Sequence, residues 1–351
     1  MQTKKIIRDG KTVYLSIPDE DDEFPELPKE LDDEVAEQIL NPQHRQQVQE
    51  RIKQLNLPVD KLSNCCLWHY DSEEYADIIQ NNAECGCFER LVKGKRVVTP
   101  YFLSLIEPYV DLSPLTPFHR EVLFHAINLF ASGYNLITFS MTLDSMTGGV
   151  ENRNLKRNAA RFEAIKSAIE KLAFTGIFID LKPLFDAYPK YRANYKVYCR
   201  NDKDKDKAEL KGTLLPCQIV DSEINGQKTL AVEILGESPL MILAKIKHQL
   251  MRYSSEPLAI TGQKNTPQVM TIKNYLLRRI ELMKQRNLSR TILFAKLYKE
   301  CGLTGTSDSV KQNARKEVEE TLTAFKAGGV IKDFEFERKV FAYRAIKITL
   351  D

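Results

Sequence analysis

The same order of structural elements is spelled twice in this chain, and that repetition constrains its fold more than any single motif. In residues 115–181, Thr116-Pro117 supplies a cap and a first-turn proline. Val122, Leu123, Ala126, Ile127 and Phe130 then recur at helical spacing until Gly133. Ile137-Thr138 reads as a short extended segment that caps a second helix over residues 139–146, which Gly148-Gly149 stops. A third helix over 161–173 places Phe162, Ile165, Ile169 and Leu172 on one side and Glu163, Lys166, Ser167 and Glu170 on the other. Gly176 opens an alternating strand over 177–181.

The second copy begins with a long helix marked by Val269, Ile272, Leu276, Ile280 and Met283, followed by a shorter one carrying Leu293, Phe294, Leu297 and Tyr298. Its third helix, over 309–327, turns Val310, Ala314, Val318, Leu322 and Phe325 inward and ends at Gly328-Gly329. Strands over 330–336 and 340–350 close the copy. The two copies share a pattern of elements and no detectable sequence. Helix, short strand, helix, helix and strand is the order of a winged helix, so the expected fold class is α+β, two winged-helix domains behind a small α+β N-terminal region.

The expected divisions are an N-terminal β-hairpin at 1–18, an acidic linker at 19–34, a small α+β region at 35–111, the first winged-helix domain at 112–255 and the second at 256–351. Asp9-Gly10 is a tight-turn dipeptide for the hairpin, and the linker is dense in Asp and Glu around Pro25 and Pro28. Helices are expected over 41–55 and 72–81, and a hairpin over 88–102 turning at Lys93-Gly94. Residues 182–211 read as an enlarged wing in which Lys190, Arg192, Lys196 and Arg200 alternate with Tyr188, Tyr191, Tyr195 and Tyr198. Strands over 214–222 and 228–235, turning at Asn225-Gly226, are placed to close the first sheet, and 240–251 reads as a helix.

Charge narrows the function classes once it is divided along the chain. Residues 1–60 hold 8 Lys/Arg against 14 Asp/Glu, a net of −6, so the remainder carries +9 of the overall +3. A basic body with an acidic head suits a polyanion binder. The first residues carry charges and a turn where a signal peptide needs an apolar core, and no run reaches the length of a membrane span, so a cytoplasmic protein without membrane association is expected. Seven cysteines, an odd number, argue for reduced thiols rather than a disulfide framework.

Reading a duplex takes cations near phosphates and short polar side chains able to reach base edges. Arg153, Lys156, Arg157 and Arg161 lead into the first third helix, and Lys166 follows on its exposed side. On the second, Ser309, Gln312, Asn313 and Lys316 share a stripe, with Lys311 and Arg315 beside it, and Arg338 and Lys339 tip the following hairpin. Each face also fits an ordinary solvated helix surface. Lys190 and Arg192, with their tyrosines, would track a backbone or stack on bases; the other reading is that the tyrosines pack the segment against the body. Cys65, Cys66, His69, Cys85 and Cys87 offer enough ligands for one tetrahedral zinc, although their spacing departs from the usual pairs and buried thiols are the plainer reading.

Enzyme signatures are lacking in the sequence. There is no Gly-x-x-x-x-Gly-Lys-Ser/Thr loop, no His-x-His pair, no His-x-Glu combined with Pro-Cys-x-x-Cys, and no Gly-x-Ser-x-Gly. His125 falls in a strongly amphipathic helix and is expected to be structural. No catalytic residues and no cofactor are expected. A metal-dependent nuclease built on scattered acids such as Asp144 and Asp180 stays open.

The stretch from Leu115 through Pro117, His119 and Glu121 to Leu123, then Ile137-Thr138, residues 161–179 and the run Lys273-Asn274-Tyr275-Leu276-Leu277-Arg278-Arg279-Ile280, resembles replication initiator proteins of bacterial plasmids and mobile elements. The likeness is to a double winged-helix, iteron-binding group from Firmicutes and covers roughly residues 112–350. It implies sequence-specific binding of double-stranded DNA with direct repeats, homodimerisation through the first unit, and contact with host replication proteins. It further implies that Lys311, Gln312, Asn313, Arg315 and Lys316 read the repeats while Arg153, Lys156, Arg157 and Lys166 position the backbone. The first third helix carries as much acid as base, so its unit is alternatively a dimerisation platform. A winged-helix transcriptional repressor and a protein-interaction scaffold are the other classes such a chain could serve.

Overall fold

A computed structural model of the chain describes residues 2–8, 11–17, 66–70, 85–92, 95–105, 113–148, 155–198, 208–224, 227–261, 265–286, 288–339 and 342–350. The chain divides into two compact units, Met1–Gln54 and Leu55–Asp351. In the smaller, β1 (Gln2–Arg8) and β2 (Lys11–Ile17) pair antiparallel from Gln2↔Ile17 to Arg8↔Lys11, the register a two-residue Asp9-Gly10 loop requires. The acidic linker and the helices expected over 41–55 and 72–81 lie outside the described residues.

The larger unit begins with β3 (Cys66–Tyr70), β4 (Cys85–Val92) and β5 (Lys95–Leu105). Next come α1 (Pro117–Ala131), β6 (Leu136–Thr138), α2 (Phe139–Thr147) and α3 (Leu155–Ala173). They are followed by β7 (Thr175–Asp180), α4 (Lys182–Ala187), α5 (Pro189–Tyr198), β8 (Glu209–Thr213), β9 (Cys217–Ile224) and β10 (Gln227–Ile234). After α6 (Pro239–Ile246) and β11 (Leu250–Ser254), a 3-10 turn (Glu256–Thr261) leads into α7 (Pro267–Arg286). The chain finishes with β12 (Thr291–Leu293), α8 (Phe294–Glu300), α9 (Asp308–Ala327), β13 (Asp333–Lys339) and β14 (Ala342–Thr349). The architecture is α+β.

Two three-stranded antiparallel sheets have the same connectivity. In one the order is β6-β10-β9 and in the other β12-β14-β13, so each time the short strand before the middle helix pairs with the last strand of the hairpin. Apolar side chains fix both registers. Ile137 lies opposite Val232, and Ile292 opposite Ile346, all four fully buried or nearly so. Each such sheet closes over its own core, one gathered on α1 through Val122, Leu123 and Ala126 and the other on α7 through Ile272, Leu276 and Ile280.

The strand expected at 177–181 does not join the first of these sheets. As β7 it sits in a four-stranded sheet of order β4-β5-β7-β8, with Tyr101 opposite Ile179 and Ile179 opposite Leu210. This sheet spans the expected boundary at residue 111, because β5 supplies the partner that buries Ile177 and Ile179. Residues 182–211 are correspondingly not a wing. They hold α4, α5 and most of β8, an insertion between α3 and the β9–β10 hairpin, and Leu184, Phe185, Tyr191 and Tyr195 form its buried stripe. The helix expected over 240–251 ends at Ile246, and Leu250 begins β11, which pairs with β3.

Helix α7 is buried on nearly all sides from Val269 to Arg278, because it packs against α9 of its own core and against α1 of the other core. The polar groups this encloses form one network. Arg120 Nη1 donates to Glu300 Oε2 at 2.6 Å, its Nη2 donates to Glu121 Oε1 at 2.9 Å, and Arg278 Nη1 donates to Glu121 Oε2 at 2.7 Å. Two guanidinium groups thus face two carboxylates, a neutral cluster in which each charge is hydrogen-bonded. Burial alone would raise the Glu121 pKa, but Arg278 and Arg120 outweigh it and hold the carboxyl below its usual range. Alongside, Asn274 donates to the carbonyls of Met146 and Met270, which leaves its Oδ1 to accept from His125 Nε2 at 2.9 Å. The His125 ring is therefore the neutral Nε2–H tautomer, and Nδ1 accepts from the Ser145 hydroxyl at 2.8 Å. Burial, aided by Arg278 and opposed by Glu121 and Asn274, pushes the His125 pKa down to about 4.

The connector between the two cores is pinned as well. Gly148 caps α2 at φ 76°, and a Cβ there would lie 2.5 Å from the Ala259 nitrogen and 2.6 Å from the Ser255 carbonyl oxygen, so the 3-10 turn rests directly on bare backbone.

Candidate nucleic-acid interface

Helix α9 begins after Ser307 and buries Ala314, Val318, Leu322 and Phe325 as the heptad-like spacing requires, with Val310 half-buried at its start. Its opposite face is free of the core. Ser309, Gln312, Asn313 and Lys316 are all exposed, and their i, i+3, i+4, i+7 spacing puts them on one stripe. The amides offer paired donor and acceptor groups, and the lysine a mobile cation.

The two cations beside this stripe are held rather than free to wander. Lys311 and Arg315 are half-buried, with Lys311 Nζ 6.0 Å from the Tyr298 ring centroid and Arg315 Nη1 donating to the Tyr298 hydroxyl at 3.1 Å. Arg315 Cζ also lies 5.2 Å from the Tyr343 ring. From the hairpin, exposed Arg338 stacks on Tyr343 with Cζ 4.4 Å from the centroid and hydrogen-bonds its hydroxyl. Lys339 ends β13 opposite Ala342. Arg315 of the helix and Arg338 of the hairpin are thereby brought to one seam at Tyr343.

The corresponding face of α3 is different. Ile165, Ile169 and Leu172 are buried and Phe162 packs against them, so the helical phase is as expected, although the helix starts at Leu155 rather than near Arg161. Outward stand Ala159, Ala160, Glu163 and Ser167, while Lys166 pairs with Glu170 at 3.8 Å. Arg161 is half-buried and partnered. Lys156 and Arg157 occupy the first turn, and Arg153 lies outside the described residues.

On α5, Lys190 and Arg192 are exposed, with Lys190 Nζ 5.3 Å from the Tyr191 ring. Two tyrosines of this segment belong to the core: Tyr191 is 6% exposed, and Tyr195 is 1% exposed with its hydroxyl donating to the Glu209 carbonyl at 3.0 Å. These two pack the insertion and present no ring face to a base.

The proposed zinc ligands are split between sheets. Cys66 and His69 lie in β3, paired with β11, whereas Cys85 and Cys87 lie in β4, paired with β5; Cys65 lies outside the described residues. Among the described residues no group of three or more His, Cys, Asp or Glu is placed to hold a metal. Elsewhere, burial pushes the thiols of Cys217 and Cys301 up to about 12, so neither is a nucleophile near neutral pH. No helix among the described residues is long and apolar enough to cross a membrane.

Sequence reasoning did not identify Tyr298 and Tyr343 as holders of the basic residues, nor the buried cluster of Arg120, Glu121, Arg278 and Glu300. For the tyrosines a signal existed in the aromatic alternation Phe334-x-Phe336 followed by Tyr343, which marks one face of a hairpin.

No protein-family model matches the sequence, and no curated protein matches it. Among solved structures, the crystal structure of RctB domains 2-3 (RctB-155-483) is similar at 11% identity, with a TM-score of 0.37, covering 76% of this chain and 91% of that one. The selenomethionine derivatives of domains 2 and 3 of RctB match at 10% identity and the same TM-score of 0.37, covering 77% and 92%.

Proposed function

We propose that this chain is a sequence-specific double-stranded-DNA-binding protein that initiates replication at the origin of a plasmid or mobile element. On this reading both units are winged helices. The supporting topology is the pair of sheets ordered β6-β10-β9 and β12-β14-β13, each behind three helices. The single observation that carries the reading is the α9 stripe of Ser309, Gln312, Asn313 and Lys316, exposed beside a hairpin that brings Arg338 to the same seam. Amide side chains suit adenine edges, and flanking cations suit guanine or phosphate.

The second unit is then the reader. The first serves chiefly to fix its geometry and to meet a second copy of the chain, because the outer face of α3 offers two alanines, a glutamate and a serine. Binding of several copies to direct repeats bends and strains the duplex, so that a neighbouring A·T-rich segment opens for host replication proteins. Binding energy does this work without intrinsic catalysis and without a cofactor.

The test is a footprint of the purified protein on DNA flanking its own gene, at low and moderate salt. Protection of phased direct repeats, with affinity falling steeply as salt rises, is the expected result. Protection of a single palindrome would replace the initiator with a repressor, and no protection at either salt would replace it with an interaction scaffold.

A further inference from the structure

The β13–β14 hairpin contains an irregularity that decides where its arginines point. Pairing runs regularly to Glu337↔Ala345 and then shifts to Arg338↔Tyr343, which leaves Arg344 as the extra residue of a β-bulge. The two arginines meet different fates. Arg344 turns to Glu337, at 3.6 Å, a carboxylate that also has Lys347 at 4.0 Å. Arg338 is set directly opposite Tyr343 and stacks on its ring.

Tyr343 itself is not adjustable. Its ring meets Phe336 edge-on at 5.6 Å and Phe294 at 5.8 Å, residues from β13 and α8 that belong to or border the second core. Arg315 reaches the same ring from α9 and is fixed at its other end by the Tyr298 hydroxyl. Two guanidinium groups are thus each held within 5.2 Å of one ring centroid, and among the described residues no carboxylate lies within ion-pair distance of either. Like charges gathered on a rigid support without an acid favour an oxyanion between them, and the planar donor fork of arginine matches phosphate.

We infer that Arg315 and Arg338, held on Tyr343, form a seat for one backbone phosphate at the seam between α9 and the hairpin, with Tyr343 and Tyr298 as positioning residues. This rests on the DNA-binding reading and adds a mechanism to it. The phosphate that seats the hairpin also sets the depth and phase at which Gln312 and Asn313 meet the bases, because one side chain of the seat comes from their own helix.

The experiment titrates the full-length protein with a random-sequence duplex and with the DNA beside its gene over a range of salt. Each phosphate neutralised contributes about 0.9 to the slope of log affinity against log salt. Arg315→Gln and Arg338→Gln are each expected to reduce that slope by about 0.9, and the double variant by no more than either alone, since one phosphate is shared. Arg344→Gln is expected to leave it unchanged. Tyr343→Phe keeps the ring and the slope, whereas Tyr343→Leu keeps both cations yet loses the same step. A purely structural tyrosine would instead lower the melting temperature without moving the slope. Additive losses, unchanged slopes, or competition by polyglutamate equal to that by duplex would overturn the seat. A wild-type protein that binds neither duplex would overturn the seat and the DNA reading together. The expected slope pattern on random duplex, without protection beside the gene, would support the seat while removing the origin reading.

Discussion

The two third helices of this chain occupy equivalent places in equivalent topologies and present opposite chemistry. Helix α9 shows solvent a serine, two amides and a lysine, with two further cations braced on tyrosines beside them. From Ala159 onward, helix α3 shows two alanines, a glutamate and a serine, and its Lys166 pairs with Glu170. What positions a helix is its buried side, and both helices meet that demand with apolar residues every third or fourth position. What a helix does is written on the other side, which the fold leaves unconstrained. Repetition of a unit thus supplies two scaffolds whose exposed faces, among the described residues, carry different side chains.

The contrast can be broken most severely where the two cores of the larger unit meet. Arg278→Ala removes the cation that shares Glu121 with Arg120, and stranding a buried carboxylate in this way costs about 3–5 kcal/mol. Urea or thermal unfolding is expected to show one cooperative transition at lower stability, reported alike by probes in either core; separate transitions would mean that the cores are energetically independent.

Acid is expected to act next most strongly. The His125 pKa is held down to about 4, below its ordinary value, so the native state favours the neutral ring. Its contribution is complete above the unfolded pKa and is lost as pH falls from about 6.5 towards 4, amounting to about 3 kcal/mol. Glu121, also depressed, loses its contribution at lower pH still. A His125→Gln variant should flatten the stability profile between pH 6.5 and 4 in urea titrations, about those values; a profile as steep as the wild type's would assign the acid sensitivity elsewhere.

On the exposed α9 stripe, the proposed DNA reading makes Asn313→Ala expected to weaken binding to the protected site by about 1–3 kcal/mol while random duplex is bound as before. Equal losses on both would make Asn313 a backbone contact. The smallest effect belongs to α3, where Glu163→Ala with Ser167→Ala should change both stability and DNA affinity by less than about 0.5 kcal/mol. A tenfold change in affinity there would show that both helices read.

Much of this arrangement was legible in the residues. The period of 3.6 located α1, α2, α7, α8 and α9 to within a few positions, and Gly148 and Gly328 marked two of their ends. The α9 stripe was legible for the same reason. What failed was the assignment of β7, since alternation shows that Ile177 and Ile179 face a core without showing which strand lies beside them. The partner, β5, comes from before α1, and local pattern carries no record of it. In residues 182–211 the helical spacing of Leu184, Phe185, Tyr188, Tyr191 and Tyr195 was present, but interleaved lysines and arginines made it resemble a basic loop. Buried Arg120, Glu121 and Arg278 were invisible for a related reason: on α1 and α7 they look like the solvated side of an amphipathic helix until the other helix covers them.

That cluster bears on how the protein is made as well as how it stands. Arg120 waits for Glu300 over 180 positions and Glu121 for Arg278 over 157, so during synthesis the first unit leaves the ribosome with its charged face complete in sequence and incomplete in space. Contacts of such separation close late, after each core has formed locally. Until then Glu121 has Arg120 beside it but not Arg278, and α1 has no α7 to cover its apolar flank. A chain cut near residue 255 would be left in that nascent condition permanently.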